Sequence, residues 1–242
     1  MTPRTTEIAP ATYRISTFHP EFGIQFNQFL VVDEEPFLMH TGMRRMFDAT
    51  VAGVRAVMDP ARVRWIGMSH FEPDESGALN EWLALAPQSQ AVCGTVGALV
   101  MLGDYADRPP RALADGEVLA TGGHRIRYLA TPHVPHGWDA GFYFDETTAT
   151  LFCSDLLFQP GDPPPLTDDD PIPAVRASIL AGMQGPLAHD VPYTHHTDGV
   201  IRRLASLAPR TLATMHGSSY RGDGAKVLAA LADVLRETIG PR

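Results

Sequence analysis

The chain has 242 residues, of which 44% are hydrophobic and 19% are charged, and its formal net charge is −9. This composition supports an apolar core and excludes a disordered chain, while the acidic charge argues against a nucleic-acid partner, because such surfaces depend on clustered Lys and Arg. The two cysteines exclude a disulfide framework. Because the sequence shows neither a signal-peptide pattern nor a membrane-spanning apolar run, we expect a cytoplasmic protein without a membrane partner.

The first half of the chain alternates strand and helix patterns. Residues 24–32 and 37–39 predict a hairpin, and apolar residues at helical spacing predict a helix within residues 43–58. A strand is predicted within residues 63–68, followed by a helix, a strand and a further helix over residues 78–102. This order is typical of an α/β protein.

The second half opens with strand patterns separated by turn residues. Residues 125–130, 141–144 and 148–153 predict strands, and the proline-rich and aspartate-rich residues 159–173 predict a surface flap. The remaining predicted elements are two helices, a strand and a closing helix, at residues 174–187, 197–207, 211–215 and 224–238. We therefore expect one domain over residues 1–242, an αββα sandwich with two mixed sheets and helices on the outer faces.

A polar loop after the strand at residues 63–68 carries three metal-ligand residue types at alternate positions, His70, Glu72 and Asp74. In an extended loop these side chains project to the same side, so we expect them to face one cavity. Carboxylates brought together in a partly dry cleft repel each other unless a cation compensates their charge. The spacing therefore favours a metal site.

Three further candidates follow predicted strands directly: His133, Asp155 and His216. Each has a structural alternative, because a lone histidine is usually a packed structural residue and Asp155 alone would cap a helix. Together with the polar loop they give three carboxylates and three imidazoles, enough for two metal ions. This oxygen-rich set favours iron or manganese over zinc, whose sites rely more on His and Cys.

The strings His70-x-Glu72-x-Asp74, His133-Val134-Pro135, Ser154-Asp155 and His216-Gly217 resemble the metallo-β-lactamase fold. Within that fold they resemble the diiron domain of flavodiiron proteins and the flavin-free oxygen-binding diiron proteins, from about residue 17 to the C-terminal helix. The resemblance implies that His70, Glu72 and His133 bind one metal, that Asp74 and His216 bind the other, and that Asp155 bridges both.

Two departures from the family pattern bear on function. Glu75 stands where much of the family has a second histidine; that histidine is a ligand in dizinc hydrolases, so Glu75 weakens a hydrolase interpretation. The hydrolytic branch of the fold also carries His at the position of Glu72. Around the metals, we expect Glu75, His19 and His136 to line the pocket or to lie in the layer behind the ligands.

The length is that of the metal domain alone, so we expect neither a flavodoxin domain nor a flavin within these residues. The leading hypothesis is a non-heme diiron protein that binds O2 as a sensor or reversible binder, or reduces O2 or NO with an external electron-donor protein. The alternative is a dinuclear metal hydrolase that cleaves an ester, thioester or phosphodiester with a metal-bound hydroxide. A homodimer stays open, because no interface pattern can be identified.

Overall fold

The computed structural model describes residues 1–241 and contains two seven-stranded sheets. In the first sheet the strands lie in chain order, antiparallel from the first to the fourth and parallel from the fourth to the seventh. Its strands are β1 (Arg4–Ala9), β2 (Thr12–His19), β3 (Ile24–Val31), β4 (Phe37–Met39), β5 (Trp65–Gly67), β6 (Gln90–Gly94) and β7 (Arg111–Leu113).

The second sheet is also mixed. Its strands are β8 (Val118–Ala120), β9 (Arg125–Ala130), β10 (Gly141–Asp145), β11 (Thr150–Phe152), β12 (Leu166–Thr167), β13 (Thr211–Ala213) and β14 (Ser219–Arg221). They lie in the order β12-β14-β13-β11-β10-β9-β8. The β8 to β11 part is an antiparallel meander, whereas β11 and β13 pair in parallel.

The helices lie outside the two sheets. They are α1 (Phe47–Arg55), α2 (Pro73–Ser76), α3 (Leu79–Leu85), α4 (Leu102–Tyr105), α5 (Ile172–Gly182), α6 (Thr197–Ser206) and α7 (Gly224–Ile239), with 3₁₀ turns at Arg44–Met46 and Pro60–Arg62 and a π-helical turn at Gly97–Met101. None of the helices in residues 1–241 combines the length and the apolar character needed to cross a bilayer.

Three apolar layers hold these elements together. Phe29 and Phe37 of the first sheet pack against Phe152 and Tyr143 of the second, so the central layer lies between the sheets. A second layer lies between the first sheet and α1 and α3, and a third lies between the second sheet and α5, α6 and α7. This arrangement confirms the predicted αββα sandwich of two mixed sheets.

The sequence prediction lacks six of the observed strands, β1, β2, β7, β8, β12 and β14, and two regions show why. Residues 4–19 form β1 and β2, which the apolar pattern did not reveal because several of their buried side chains are polar, including Thr12, Arg14 and Ser16. The predicted flap is fastened at its start: Gln25 Nε2 donates to the Asp162 carboxylate at 2.6 Å, and the backbone of Leu166–Thr167 pairs with β14. This part of the flap therefore belongs to the second sheet.

The loops that follow β5, β9, β11 and β13 meet at one edge of the sandwich. β5, β11 and β13 are short and buried, β9 is partly buried, and each of the four is followed within a few residues by histidine or carboxylate side chains. Strand ends are held rigidly by the sheet, so the loops that follow them can place polar groups accurately.

Candidate metal centre

Seven side chains with metal-binding atoms converge where these loops meet. Within residues 1–241 they form four overlapping groups of three, in each of which the ligand atoms lie within 4.8 Å of one another. The groups are His70, Glu72 and His136; His70, Glu75 and Asp155; Asp74, Asp155 and His216; and Glu72, Asp74 and Glu75. The site thus has two halves joined by shared carboxylates.

The segment after β5 supplies four of these residues and changes conformation as it does so. Glu72 is extended, and Pro73 then begins the short helix α2, which suits the fixed φ of proline at a first helical position. The expectation of an extended loop through Asp74 is therefore wrong. Because the chain is helical here, both Asp74 and Glu75 belong to the cluster, although they are adjacent in sequence.

His136, not His133, is the imidazole that the loop after β9 places beside His70 and Glu72. The His136 Nε2 lies 3.0 Å from the His70 Nε2, 3.2 Å from the Glu72 Oε1 and 3.3 Å from the Asp155 Oδ2. His133 is exposed and belongs to none of the four groups. The predicted placement of His133 in the cluster is thus corrected.

The path of the loop explains why His136 rather than His133 lies in the cluster. His133 has a left-handed backbone (φ 65°), and its N–H donates to the Gly137 carbonyl at 2.7 Å. Val134 is buried, and the Thr131 hydroxyl donates to its carbonyl at 2.9 Å. With Val134 anchored in the core, the tight turn leaves the His133 side chain in solvent and brings His136 to the cluster.

The His216 imidazole is oriented by the neighbouring sheet. Its Nδ1 lies 2.8 Å from the Gln25 carbonyl oxygen, a contact that requires an N–H at Nδ1. The other nitrogen, Nε2, therefore faces the carboxylates, 3.3 Å from the Asp74 Oδ2 and 3.2 Å from the Asp155 Oδ1. A backbone carbonyl that fixes the tautomer in this way is a recurring feature of metal-binding histidines.

A buried polar network orients His70, and sequence reasoning missed it. The Ser69 hydroxyl lies 3.1 Å from the His70 Nδ1, 2.9 Å from the His40 Nε2 and 2.8 Å from the Ser154 hydroxyl. His40 is almost fully buried, and burial lowers its pKa to about 3, so it is neutral. The one sequence signal was that His40 directly follows β4, as other candidates follow their strands.

His19 stands apart from the cluster. It ends β2, and its ring lies 4.4 Å from the Phe22 ring centroid and 6.3 Å from that of Phe26. Phe26 in turn packs edge-on against His216 at 5.2 Å. His19 thus belongs to none of the four groups, and its ring is connected to His216 through the Phe26 ring.

The electrostatics of the cluster are dominated by carboxylates. Burial opposes charge on His136, yet the neighbouring Asp155 and Glu72 raise its pKa to about 10. His216 behaves alike: burial opposes its charge, but Asp155 and Asp74 raise its pKa to about 10. Hydrogen bonds from His136 and His70 lower the pKa of Glu72 to about 2. Without a metal ion, protons on the histidines therefore compensate the carboxylates.

The donor set fits a pair of metal ions. Four carboxylates and three imidazoles give an oxygen-rich environment of the kind that iron and manganese prefer. The Nε2 atoms of His70 and His136 lie 3.0 Å apart, so a cation beside them could be bound by both rings when neither carries its proton on Nε2. The two-half geometry suits one ion beside His70, Glu72 and His136 and another beside Asp74 and His216.

Comparison with known proteins agrees with the fold. Residues 24–217 match the family model described as "ODP family beta lactamase". The rubredoxin-oxygen oxidoreductase of Megalodesulfovibrio gigas is 24% identical over 206 residues, which is 83% of this chain and 50% of that protein. The diflavin flavoprotein A 1 of Synechocystis sp. is 27% identical over 147 residues, 58% of this chain and 25% of that protein.

Among solved structures, the rubredoxin oxygen:oxidoreductase of Desulfovibrio gigas superimposes with a TM-score of 0.82 at 21% identity, over 96% of this chain and 61% of that one. This likeness establishes a shared core fold. Because the family model matches most of the sequence, the chain belongs to the ODP family of β-lactamase-like proteins. It spans half or less of the length of the two relatives named above.

Proposed function

We propose that this protein is a non-heme diiron protein that binds O2 or NO and reduces it when a separate protein supplies electrons. The observation that carries the proposal is the two-half cluster, in which Asp155 contacts both halves through different oxygens, at 3.3 Å from His136 and 3.2 Å from His216. The rubredoxin-oxygen oxidoreductase named above supports the reaction class, since its name pairs oxygen with an electron-donor protein. The cytoplasmic location stays a prediction.

In this proposal, His70, Glu72 and His136 would hold one iron, Asp74 and His216 would hold the other, and Asp155 would serve both. Iron supplies redox chemistry and open coordination positions for a small ligand. The protein residues keep the imidazoles in position: Ser69 contacts the Nδ1 of His70, and the Gln25 carbonyl accepts from the Nδ1 of His216. Both contacts leave the Nε2 atoms available to the metals.

Metal analysis and oxygen exposure test the proposal. We expect protein from iron-supplemented cells to contain two irons per chain, and the reduced protein to develop a new visible absorption band when O2 is admitted. Two zincs per chain, no band and esterase activity would instead identify the hydrolase alternative. The carboxylates of Glu72 and Glu75 argue against that outcome, because zinc sites rely more on His and Cys ligands.

The bridging role of Asp155 gives a sharper prediction. Asp155→Ala should lose both metals, because each half of the site depends on one of its oxygens. Asp168→Ala, which removes an exposed carboxylate from the surface, is the matched control and should keep both metals. Metal content by mass spectrometry measures the effect. Full metal content in the Asp155 variant would show that the assigned bridge is wrong.

A further inference from the structure

Glu75 is a buried carboxylate for which no ligand role was predicted from the sequence. Its side chain is 0% exposed, and neither of its oxygens has a hydrogen-bond partner within residues 1–241. A buried carboxylate without partners costs several kcal/mol, which native proteins normally compensate with hydrogen bonds, ion pairs or metal coordination. Among residues 1–241, no hydrogen bond compensates the burial of this carboxyl group.

The position of Glu75 indicates that a metal ion could compensate its buried charge. Glu75 belongs to two of the four donor groups, one with His70 and Asp155 and the other with Glu72 and Asp74. Its Oε1 lies 3.7 Å from the His70 Nε2, the nitrogen that faces the proposed metals. In these two groups, a Glu75 oxygen lies within 4.8 Å of donor atoms from both proposed halves of the site. Glu75 thus faces the same space as the bridging Asp155.

The charge balance of the proposed dimetal centre also favours coordination by Glu75. Glu72, Asp74 and Asp155 carry three negative charges when ionised, which leaves two divalent cations with a net charge of +1. Glu75 would add a fourth negative charge and make the buried centre neutral. A neutral centre avoids the cost of burying net charge in a low-dielectric site.

We propose that Glu75 is a fourth carboxylate ligand of the dimetal centre, lying between the two metals in addition to Asp155. This inference rests on the proposed function, since it assumes that two metals bind. It differs from the family pattern described above, in which this position carries a histidine. The rival interpretation is a protonated Glu75 that donates a hydrogen bond to Asp74 without touching a metal.

Diffraction from crystals of the manganese-loaded protein tests the proposal directly. Manganese positions from anomalous scattering should lie about 2.0–2.4 Å from an oxygen of Glu75, the distance range of coordinated carboxylates. If both manganese ions are bound and no Glu75 oxygen lies within that range, the inference is overturned while the proposed dimetal centre stands. If wild-type protein does not bind two metals, the proposed function itself fails.

A substitution gives an independent measurement. Glu75→Gln keeps a hydrogen-bond donor for Asp74 but loses the charge, so it separates a ligand from a protonated neighbour. We expect Glu75→Gln to weaken Mn²⁺ binding at least tenfold in chelator competition and to alter the electron paramagnetic resonance spectrum of the manganese pair. Glu34→Gln, at an exposed position, should change neither. Unchanged affinity and an unchanged spectrum in the Glu75 variant would contradict the proposal, provided that circular dichroism shows a folded protein.

Discussion

At the residue scale, the loop after β9 offers two histidines three positions apart that meet very different surroundings. The His136 Nε2 lies within 3.3 Å of two carboxylates and of the His70 ring, whereas His133 is exposed. The first is therefore in a position suited to a metal ligand, whereas the second is a surface residue. The pair allows a matched experiment, because replacing either histidine with alanine removes one imidazole from the same loop.

His136→Ala should lower the metal content of the half-site formed with His70 and Glu72, and His133→Ala should leave it unchanged. Removal of a direct imidazole ligand leaves that half with one nitrogen donor, and weaker binding by at least 10-fold is expected, since even residues behind the ligands change metal affinity 10–100-fold. Metal analysis after dialysis against a weak chelator measures the difference. Metal loss from the His133 variant alone would restore the ligand assignment that the sequence suggested.

The sequence could identify which residue types form the site but not which of two nearby histidines faces it. His70, Glu72, Asp74, Asp155 and His216 lie within seven residues after the ends of β5, β11 and β13, so the topology brings them to the same edge of the sandwich. The choice between His133 and His136 depends on the path of the ten-residue loop between β9 and β10, whose turn is set by the buried Val134 and by hydrogen bonds within the loop. Such tertiary anchors leave no periodic pattern.

At the element scale, strands of the first sheet hold the loop that carries His216. The Asn27 side-chain amide donates to the carbonyls of Thr214 and Gly217 at 2.9 and 3.0 Å, and the Arg14 guanidinium also donates to the Gly217 carbonyl, at 2.9 Å. Arg14 is fully buried, and burial lowers its pKa to about 9. These polar contacts explain why β2 lacks a clear apolar alternation and why its sequence did not predict a strand.

Close packing between β9 and β10 leaves no room for a side chain larger than hydrogen at Gly141. A methyl group at Gly141 in β10 would overlap the Tyr128 ring, which is buried in the central layer. Gly141→Ala should therefore destabilise the protein by about 1–3 kcal/mol, as overpacked cores do. Thermal and urea unfolding measure the change. Wild-type stability in this variant would show that the Tyr128 ring moves aside without cost.

Gly199 is the control for this glycine substitution, because it lies exposed inside α6 with nothing within 4 Å of an added methyl group. Alanine has the higher helix propensity and fewer unfolded conformations, so Gly199→Ala should stabilise the protein by about 0.5–1 kcal/mol. The two substitutions add the same group and should have opposite signs. Destabilisation by both would point to a general intolerance of change rather than to the Tyr128 contact.

At the scale of the whole molecule, a net charge of −9 is combined with four carboxylates gathered in one partly buried centre. In the metal-free protein, His136 and His216 compensate part of that charge as cations, and burial together with the neighbouring Asp155 and Asp74 carboxylates holds the pKa of Glu75 well above its usual value. Metal ions would displace these protons, so metal affinity should rise with pH across the neutral range.

This coupling predicts how the stability of the metal-free protein depends on pH. The pKa of each of the two histidines is about 10 in the folded protein and about 6.5 when unfolded, so their stabilising contribution is complete below about pH 6.5 and is lost as pH rises towards 10. Glu75 acts in the same direction, because a raised carboxyl pKa favours the folded state only while the group is protonated.

The free energy of unfolding in the presence of a chelator should therefore fall by a few kcal/mol between pH 6.5 and 9.5. Urea titrations at several pH values measure it. The Asp155→Ala variant is the informative comparison, because it lacks the carboxylate that contacts both histidines. Its free energy of unfolding should therefore depend less steeply on pH. If the free energy of unfolding of this variant still falls steeply with pH, the responsible groups lie outside the metal centre. If that of the wild type does not change with pH, the histidines are not protonated in the folded metal-free protein.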